Sequence, residues 1–320
     1  MSFASQPTFN MDFRGKCVKW LFDQYVGVML SITSRYPIGT NVFERDWDTL
    51  VLLDTCRVDA IAEVADEFDF LPPSEKVPAI TSIGSGSYTW MANTFVEEYA
   101  DEISETVYVS ANMYSEWVLE EGWRPEEERG IANCDWKTLN SQDLMTLDQP
   151  WRHGEDVISH PDPAYVTERA IGHARTYNPD RIIVHYSQPH EPYIANALNE
   201  GRGEEGLYEY EQNPWDHLRN YDDLETVWEC YIEDLRMVLR HVQDLLNNHD
   251  AEQVIISADH GEAFGEFGVY RHPVGVLHPK IRKVPWVSTT AVDTEQLAGS
   301  TESRGRAADV ESSLEDLGYL

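Results

Sequence analysis

Cations and cysteines are the scarce residues of this 320-residue chain. Six Lys and eighteen Arg face 57 Asp and Glu, a formal charge of -33. So acidic a chain disfavours binding to nucleic-acid backbone, which works by neutralising phosphates, and disfavours attraction of the whole molecule to an anionic membrane; no nucleic-acid partner is expected. The four cysteines, Cys17, Cys56, Cys134 and Cys230, form no CxxC pair. Neither a disulfide framework nor a cysteine-based metal site is expected, and scattered reduced thiols fit a cytoplasmic protein. No basic segment followed by a long apolar run opens the chain, so no signal peptide is expected. The most apolar stretch, residues 17–32 (CVKWLFDQYVGVMLSI), is interrupted by Lys19 and Asp23. It is shorter than the roughly 20 residues of a membrane span. It reads as an amphipathic helix packed on the domain, with peripheral membrane contact as the alternative and no stable membrane insertion. Internal repeats are absent.

What is present describes a globular protein. Hydrophobic residues make up 42% of the chain, with ten Trp and sixteen Tyr, far from the composition of a disordered acidic tail. A compact body of charge -33 repels itself in dilute buffer. That repulsion fades when salt shortens the Debye length to about 3 Å near 1 M. The composition therefore reads as halophilic.

Short apolar runs alternate with helical stretches. TLVLL (49–53), VYVS (107–110), RIIVHY (181–186), QVIIS (253–257) and VPWVS (284–288) read as buried strands. Apolar residues at helical spacing predict a helix over about 224–247, and another over 163–177. The alternation predicts an α/β class fold, a mostly parallel layered sheet with helices on both faces. Residues 1–46 read as an N-terminal helical segment and 47–290 as the main α/β domain. Residues 112–161 read as an insertion or cap over the carboxyl edge of the sheet. Residues 291–320 read as a polar segment ending in a docking helix.

Polar residues gather at three strand ends, where ligands of open α/β sheets bind. DTCRVD (54–59) follows the first run, HYSQPHEPY (185–193) includes the end of another, and SADHGE (257–262) follows QVIIS. Asp259 and His260, side by side before a glycine, can ligate a divalent cation. Capping of the following turn is the competing role. Asp54 occupies the same topological place on another strand.

Five segments in order resemble sulfatase-like hydrolases of the alkaline phosphatase superfamily: DTCRVDA, SQPHEPY, SADHGEAFGE, HPKIRKVPWV and the closing LEDLGYL. They span roughly Trp47 to the C-terminus. With the acidic composition, they give a sulfatase-like hydrolase of haloarchaeal type as the expectation. The resemblance implies an alkaline-phosphatase-like layered sheet and metal-assisted attack on a tetrahedral ester. It makes Asp54, Asp259 and His260 metal ligands, and Arg57 an anion-facing or structural cation. His190, with His272 or His278, would face the substrate, and His190 or His272 would protonate the leaving group. The implied cofactor is a divalent cation, Mn, Zn, Mg or Ca, one per site.

The stretch SIGSGSYTW (82–90) matches the place of the family's nucleophile. Gly84 and Gly86 permit close backbone approach, and a helix start there favours an anion. Ser87 is the first candidate, Thr89 the second and Ser85 the third, against a simple capping loop. Formylglycine formation needs Pro at +2 and Arg at +4. Ser87 is followed there by Thr89 and Met91, and Cys56 by Val58 and Ala60. The expectation is therefore a hydrolase of phosphate or sulfate esters acting through an unmodified Ser or Thr. Its substrate would be a small molecule or a glycan- or lipid-linked ester. A transferase moving a phospho-substituent onto a glycan or lipid, a strict sulfatase, and a non-catalytic binding module are the alternatives.

Overall fold

A computed structural model describes residues 13–122, 132–154, 156–157 and 160–303. Seven strands form the central sheet: β1 (Thr49–Leu53), β2 (Ala79–Thr81), β3 (Thr106–Ser110), β4 (Thr146–Asp148), β5 (Arg181–Tyr186), β6 (Ala251–Ser257) and β7 (Lys283–Ala291). Their order is β2-β7-β6-β1-β5-β3-β4. β1 pairs in parallel with β5 and β6, and β3 with β5 and β4. β7 is antiparallel to both β6 and β2. The sheet is thus mixed and mostly parallel.

β1 is buried at all five positions, which explains why it alternates no polar residue: both of its faces are covered. Val51 and Leu53 pack into one core with residues of α2 (Val58–Val64), α4 (Pro163–Tyr177) and α5 (Leu224–Leu246). Leu50 and Leu52 pack into the other, with Trp90 and Met91 of α3 (Ser87–Thr94). Helices therefore flank the sheet on both sides. α5 follows the expected periodicity, burying Val227, Tyr231, Leu235, Val238, Leu239 and Val242. Asp223 caps its start by accepting from Thr226 N. α4 begins with Asp162 as N-cap and Pro163 at N1, and ends at Asn178 in the left-handed region.

Two expectations need correction. Residues 112–161 are not simply a cap: they supply edge strand β4, and Val118, Leu119 and Leu144 enter the second core. The strand is only three residues long, too short for a periodicity to show. The apolar N-terminal stretch is helical, α1 (Phe13–Thr33), but it is not amphipathic in the ordinary sense. Val26 and Leu30 are fully buried, while Leu21, Val28 and Ile32 on other faces are exposed. The expected C-terminal docking helix lies outside the described residues. Among the described residues, no helix is long and apolar enough to cross a membrane.

Candidate active site

Parallel strands β1, β3, β5 and β6 deliver their carboxyl ends to one place. Asp54 follows β1 directly, and its backbone N–H still bonds to Tyr186 O at 3.2 Å. The turn after it is pinned from α5: Tyr231 Oη donates to Thr55 O at 2.9 Å and accepts from Arg57 N at 3.0 Å. Thr55 is held at φ 67°, a conformation a β-branched residue adopts only when its surroundings impose it. Asp259 lies two residues past β6. Its Oδ1 accepts from His260 N at 2.8 Å, which aims Oδ2 away. Gly261 is required beside it, because a side chain there would meet Lys280 O at 2.2 Å.

The two imidazoles are oriented by their far nitrogens. His260 Nδ1 faces Gly261 O at 3.0 Å; a carbonyl only accepts, so Nδ1 carries the hydrogen and Nε2 offers a lone pair. His185, at the end of β5, places Nδ1 on Tyr108 Oη of β3 at 2.9 Å, and its ring stacks on that tyrosine. Its Nε2 points at Asp259 Oδ2, 3.6 Å away. His260 Nε2 lies 3.4 Å from Asp259 Oδ2 and 3.6 Å from Asp54 Oδ1. Asp54, His185 and Asp259, all buried, each bring one ligand-type atom within 4.8 Å of the others.

Asp54 Oδ1, His185 Nε2 and Asp259 Oδ2 have no hydrogen-bond partner among the described residues. An unsatisfied buried polar group costs about 1–3 kcal/mol, so three gathered at one point make this cluster a candidate metal site. Electrostatics agree. Burial, then the neighbouring Asp259, push the Asp54 carboxyl well above its ordinary range, against the bond from Asn112. Burial also opposes ionisation of Asp259, yet His260, His185 and the Ser87 hydroxyl hold it below its usual value. Burial brings both His185 and His260 down to about 4. Both rings are therefore neutral near pH 7, the form in which imidazole ligates a cation.

Ser87 opens α3 directly over this cluster. Its Oγ is 3.3 Å from His260 Nε2, at a helix N-terminus whose first amides lack intrahelical partners. The other hydroxyls of the loop are engaged elsewhere. Thr89 Oγ1 donates to Gly86 O at 2.8 Å and accepts from Ser85 N at 3.1 Å. Ser85 Oγ accepts from Gly275 N at 2.8 Å. Gly84 serves packing, not ligand approach, since a side chain there would meet the Trp90 backbone.

A cleft of about 380 Å³ opens above, lined by Asp54, Ser87, Asn112, His160, His190 and His272 among others. The rings of His190 and His272 lie 5.2 Å apart. His272 Nδ1 meets Glu262 Oε2 at 2.9 Å, which fixes the ring and frees Nε2. Glu191, also buried here, is held down to about 2: burial opposes ionisation, but His190, Arg271 and His272 outweigh it.

The sequence-derived candidates thus separate. Asp54, Asp259, His260, Ser87, His190 and His272 converge. Thr89 does not, being a local cap. Arg57 is structural, not anion-facing: its guanidinium binds Asp59 at 2.6 and 2.8 Å and Glu266 at 2.8 Å, and stacks on Trp228. His278 is turned from the cleft, capping its own short helix through Nδ1 and facing Glu266 O through Nε2. Two site residues carried no assigned role in the sequence reading. His185 stood within a quoted motif but reads as part of an apolar strand. Asn112, whose Nδ2 donates to Asp54 Oδ2 at 2.9 Å, has a side chain common in any turn.

Neither a family model nor a curated protein matches the chain. Among solved structures, it is similar to a proposed sulfatase from Bacteroides thetaiotaomicron, with 11% identity and a TM-score of 0.42, over 81% of this chain and 65% of that one. It is also similar to the soluble domain of lipooligosaccharide phosphoethanolamine transferase A from Neisseria meningitidis. There the identity is 13% and the TM-score 0.41, over 78% of this chain and 77% of that one. A third is a periplasmic phosphoethanolamine transferase domain from Campylobacter jejuni, 15% identical at a TM-score of 0.37, over 75% and 77%. The chain spans 65% of the length of the first of these. Likenesses this remote assign no activity.

Proposed function

We propose that the protein is a metal-dependent enzyme of the alkaline phosphatase superfamily that cleaves a phosphate or sulfate ester through Ser87. The substituent passes to water or to an acceptor alcohol. One observation carries the reading. Three buried, unpartnered ligand atoms on Asp54, His185 and Asp259 share one point, with Ser87 Oγ beside them on His260.

This donor set fits a divalent cation. Asp54, Asp259, His185 and His260 would hold it, a mixed carboxylate–imidazole set that suits Zn or Mn better than Ca or Mg. When bound, the cation supplies charge neutralisation, polarisation of the ester and a lowered pKa for the serine hydroxyl. Ser87 Oγ, its proton released to solvent, attacks the phosphorus or sulfur in line, and the bond to the leaving oxygen breaks. The first-turn amides of α3 face the charge that builds on the non-bridging oxygens. His190 or His272 gives the departing oxygen its proton. The same histidine then takes a proton from water or an alcohol, which attacks the seryl ester and frees Ser87. Hydrolysis and transfer share the first half and diverge only here. The unmodified serine expected from Thr89 and Met91 favours phosphate over sulfate. The charge of -33 supports action in concentrated salt, and the free thiols of Cys56 and Cys230 support a reducing cytoplasm.

The test is turnover of p-nitrophenyl phosphate, bis-p-nitrophenyl phosphate and p-nitrophenyl sulfate in molar KCl with Mn, Zn, Mg or Ca. Added alcohol separates transfer from hydrolysis by its product. Chelation and Ser87→Ala should each abolish turnover, with Ser87→Ala still binding metal. Full activity in Ser87→Ala would remove the covalent mechanism.

A further inference from the structure

α1 packs on Gly275, in a loop that is bonded to the one carrying Ser87. Its Val26 and Leu30 are fully buried and crowd Gly275, where a side chain would sit 3.4 Å from Leu30. Gly275 N in turn donates to Ser85 Oγ. The opposite side of α1 is apolar and uncovered. Leu21 is 60% exposed, Tyr25 42%, Val28 48% and Ile32 45%. Their spacing of four, three and four places them in one stripe along the helix. Trp20, 59% exposed, flanks it, and Tyr36, 74% exposed, stands just beyond the helix end. Contiguous apolar exposure of this kind marks an interaction surface.

Charge selects the occupant. Residues 1–36 hold Arg14, Lys16, Lys19 and Arg35 against Asp12 and Asp23, a net +2, so the remainder carries -35. A second copy meeting this stripe would bring two strongly anionic bodies together. An anionic lipid surface complements both the apolar stripe and the basic end of the helix. The aromatic share fits too, since Trp and Tyr favour the level of lipid headgroups. We infer that α1 docks on an anionic bilayer, lying in its interface with Leu21, Tyr25, Val28 and Ile32 turned to the lipid. The whole-chain charge, which disfavours such contact, is overcome locally by this one positively charged, apolar element.

Flotation of the full chain with vesicles of equal parts phosphatidylglycerol and phosphatidylcholine tests the inference, with no substrate present. The wild-type protein should float in molar KCl. Leu21→Glu combined with Val28→Glu should lower the floated fraction roughly tenfold or more, since each change replaces an apolar side chain that docking would bury by a charge. Lys19→Glu should weaken binding to these vesicles at low salt and leave pure phosphatidylcholine vesicles unaffected. Circular dichroism and turnover of a soluble ester should match wild type in all variants, which separates lost docking from lost folding. Absence of flotation by the wild type, or equal flotation by the double variant, overturns the inference. So does a concentration-dependent dimer that the double variant abolishes while vesicles capture nothing; the stripe then belongs to a second copy.

Discussion

Gly84→Ala probes how the nucleophile is positioned. The new Cβ would lie 2.4 Å from Trp90 N, 2.5 Å from its Cα and 2.7 Å from its Cβ, where ordinary contact starts at 3.4 Å. Relief requires a separation of about 1 Å, the scale at which misplaced reacting groups lose on the order of a hundredfold in rate. Trp90 cannot yield toward solvent, being 1% exposed and edge-on to Phe95. The shift therefore passes into α3 and carries Ser87 with it. Asp54, His185 and Asp259 stand on other elements and stay in place. The expected result is kcat down about a hundredfold and stability down about 1–3 kcal/mol, with metal affinity unchanged. Gly86→Ala is the control: its backbone is extended at φ -171° and the nearest atom to its Cβ is Val274 Cγ2 at 3.4 Å. Steady-state kinetics and metal titration of both variants decide. Wild-type kcat in Gly84→Ala, or equal losses in both, would refute this account of the loop.

His185→Ala should weaken metal retention tenfold or more by calorimetric titration, roughly the scale of supporting losses at metal sites, whereas Ser87→Ala should not. Asp148, buried among Arg169, His173 and His153, sits far below its ordinary pKa: burial opposes ionisation, but bonds from His153, His173 and Arg169 outweigh it. Its stabilisation is therefore full above the ordinary carboxylate pKa and is lost as pH falls below it. Asp148→Asn should flatten the acid limb of stability against pH and cost about 3–5 kcal/mol near neutrality, as breaking one side of a buried ion pair does. The melting temperature of the wild type should rise between low-salt buffer and molar KCl; an unchanged value would count against the halophilic reading.

The strands with two covered faces were legible because burial on both sides leaves continuous apolar runs. TLVLL at 49–53 and RIIVHY at 181–186 are strands over those very residues. β2 and β4 were not, since three residues carry no period. Among site residues, Asp54, Asp259 and His260 stood out as polar residues where apolar strands end, and Ser87 as a hydroxyl between glycine and a helix. His185 did not, because it ends a strand that pairs along its whole length, and only Tyr108, 77 positions away, turns its ring toward Asp259. Arg57 misled in part for the same reason: Asp59 is two residues away, but its other carboxylate partner, Glu266, lies 209 residues on. His278 misled because its bonds are local, to Lys280 N and Glu266 O, and a histidine beside a proline gives no sign that it caps a short helix.

The position of β1 bears on how the chain must be made. Among the described strands it comes first in the chain, yet it is the middle one in the sheet, pairing with Ile182 on one side and Val254 on the other. A growing chain therefore carries Leu50, Val51, Leu52 and Leu53 with both strand edges unpaired until β5 has emerged, and with one edge unpaired until β6 follows. Such a segment is an aggregation hazard while it waits, and non-local pairing of this kind is slow. The acidic residues close before and after it, Asp46, Asp48, Asp54 and Asp59, act as charged gatekeepers over that interval. Two of these, Asp54 and Asp59, thus guard solubility during synthesis before one faces the cleft and the other locks Arg57.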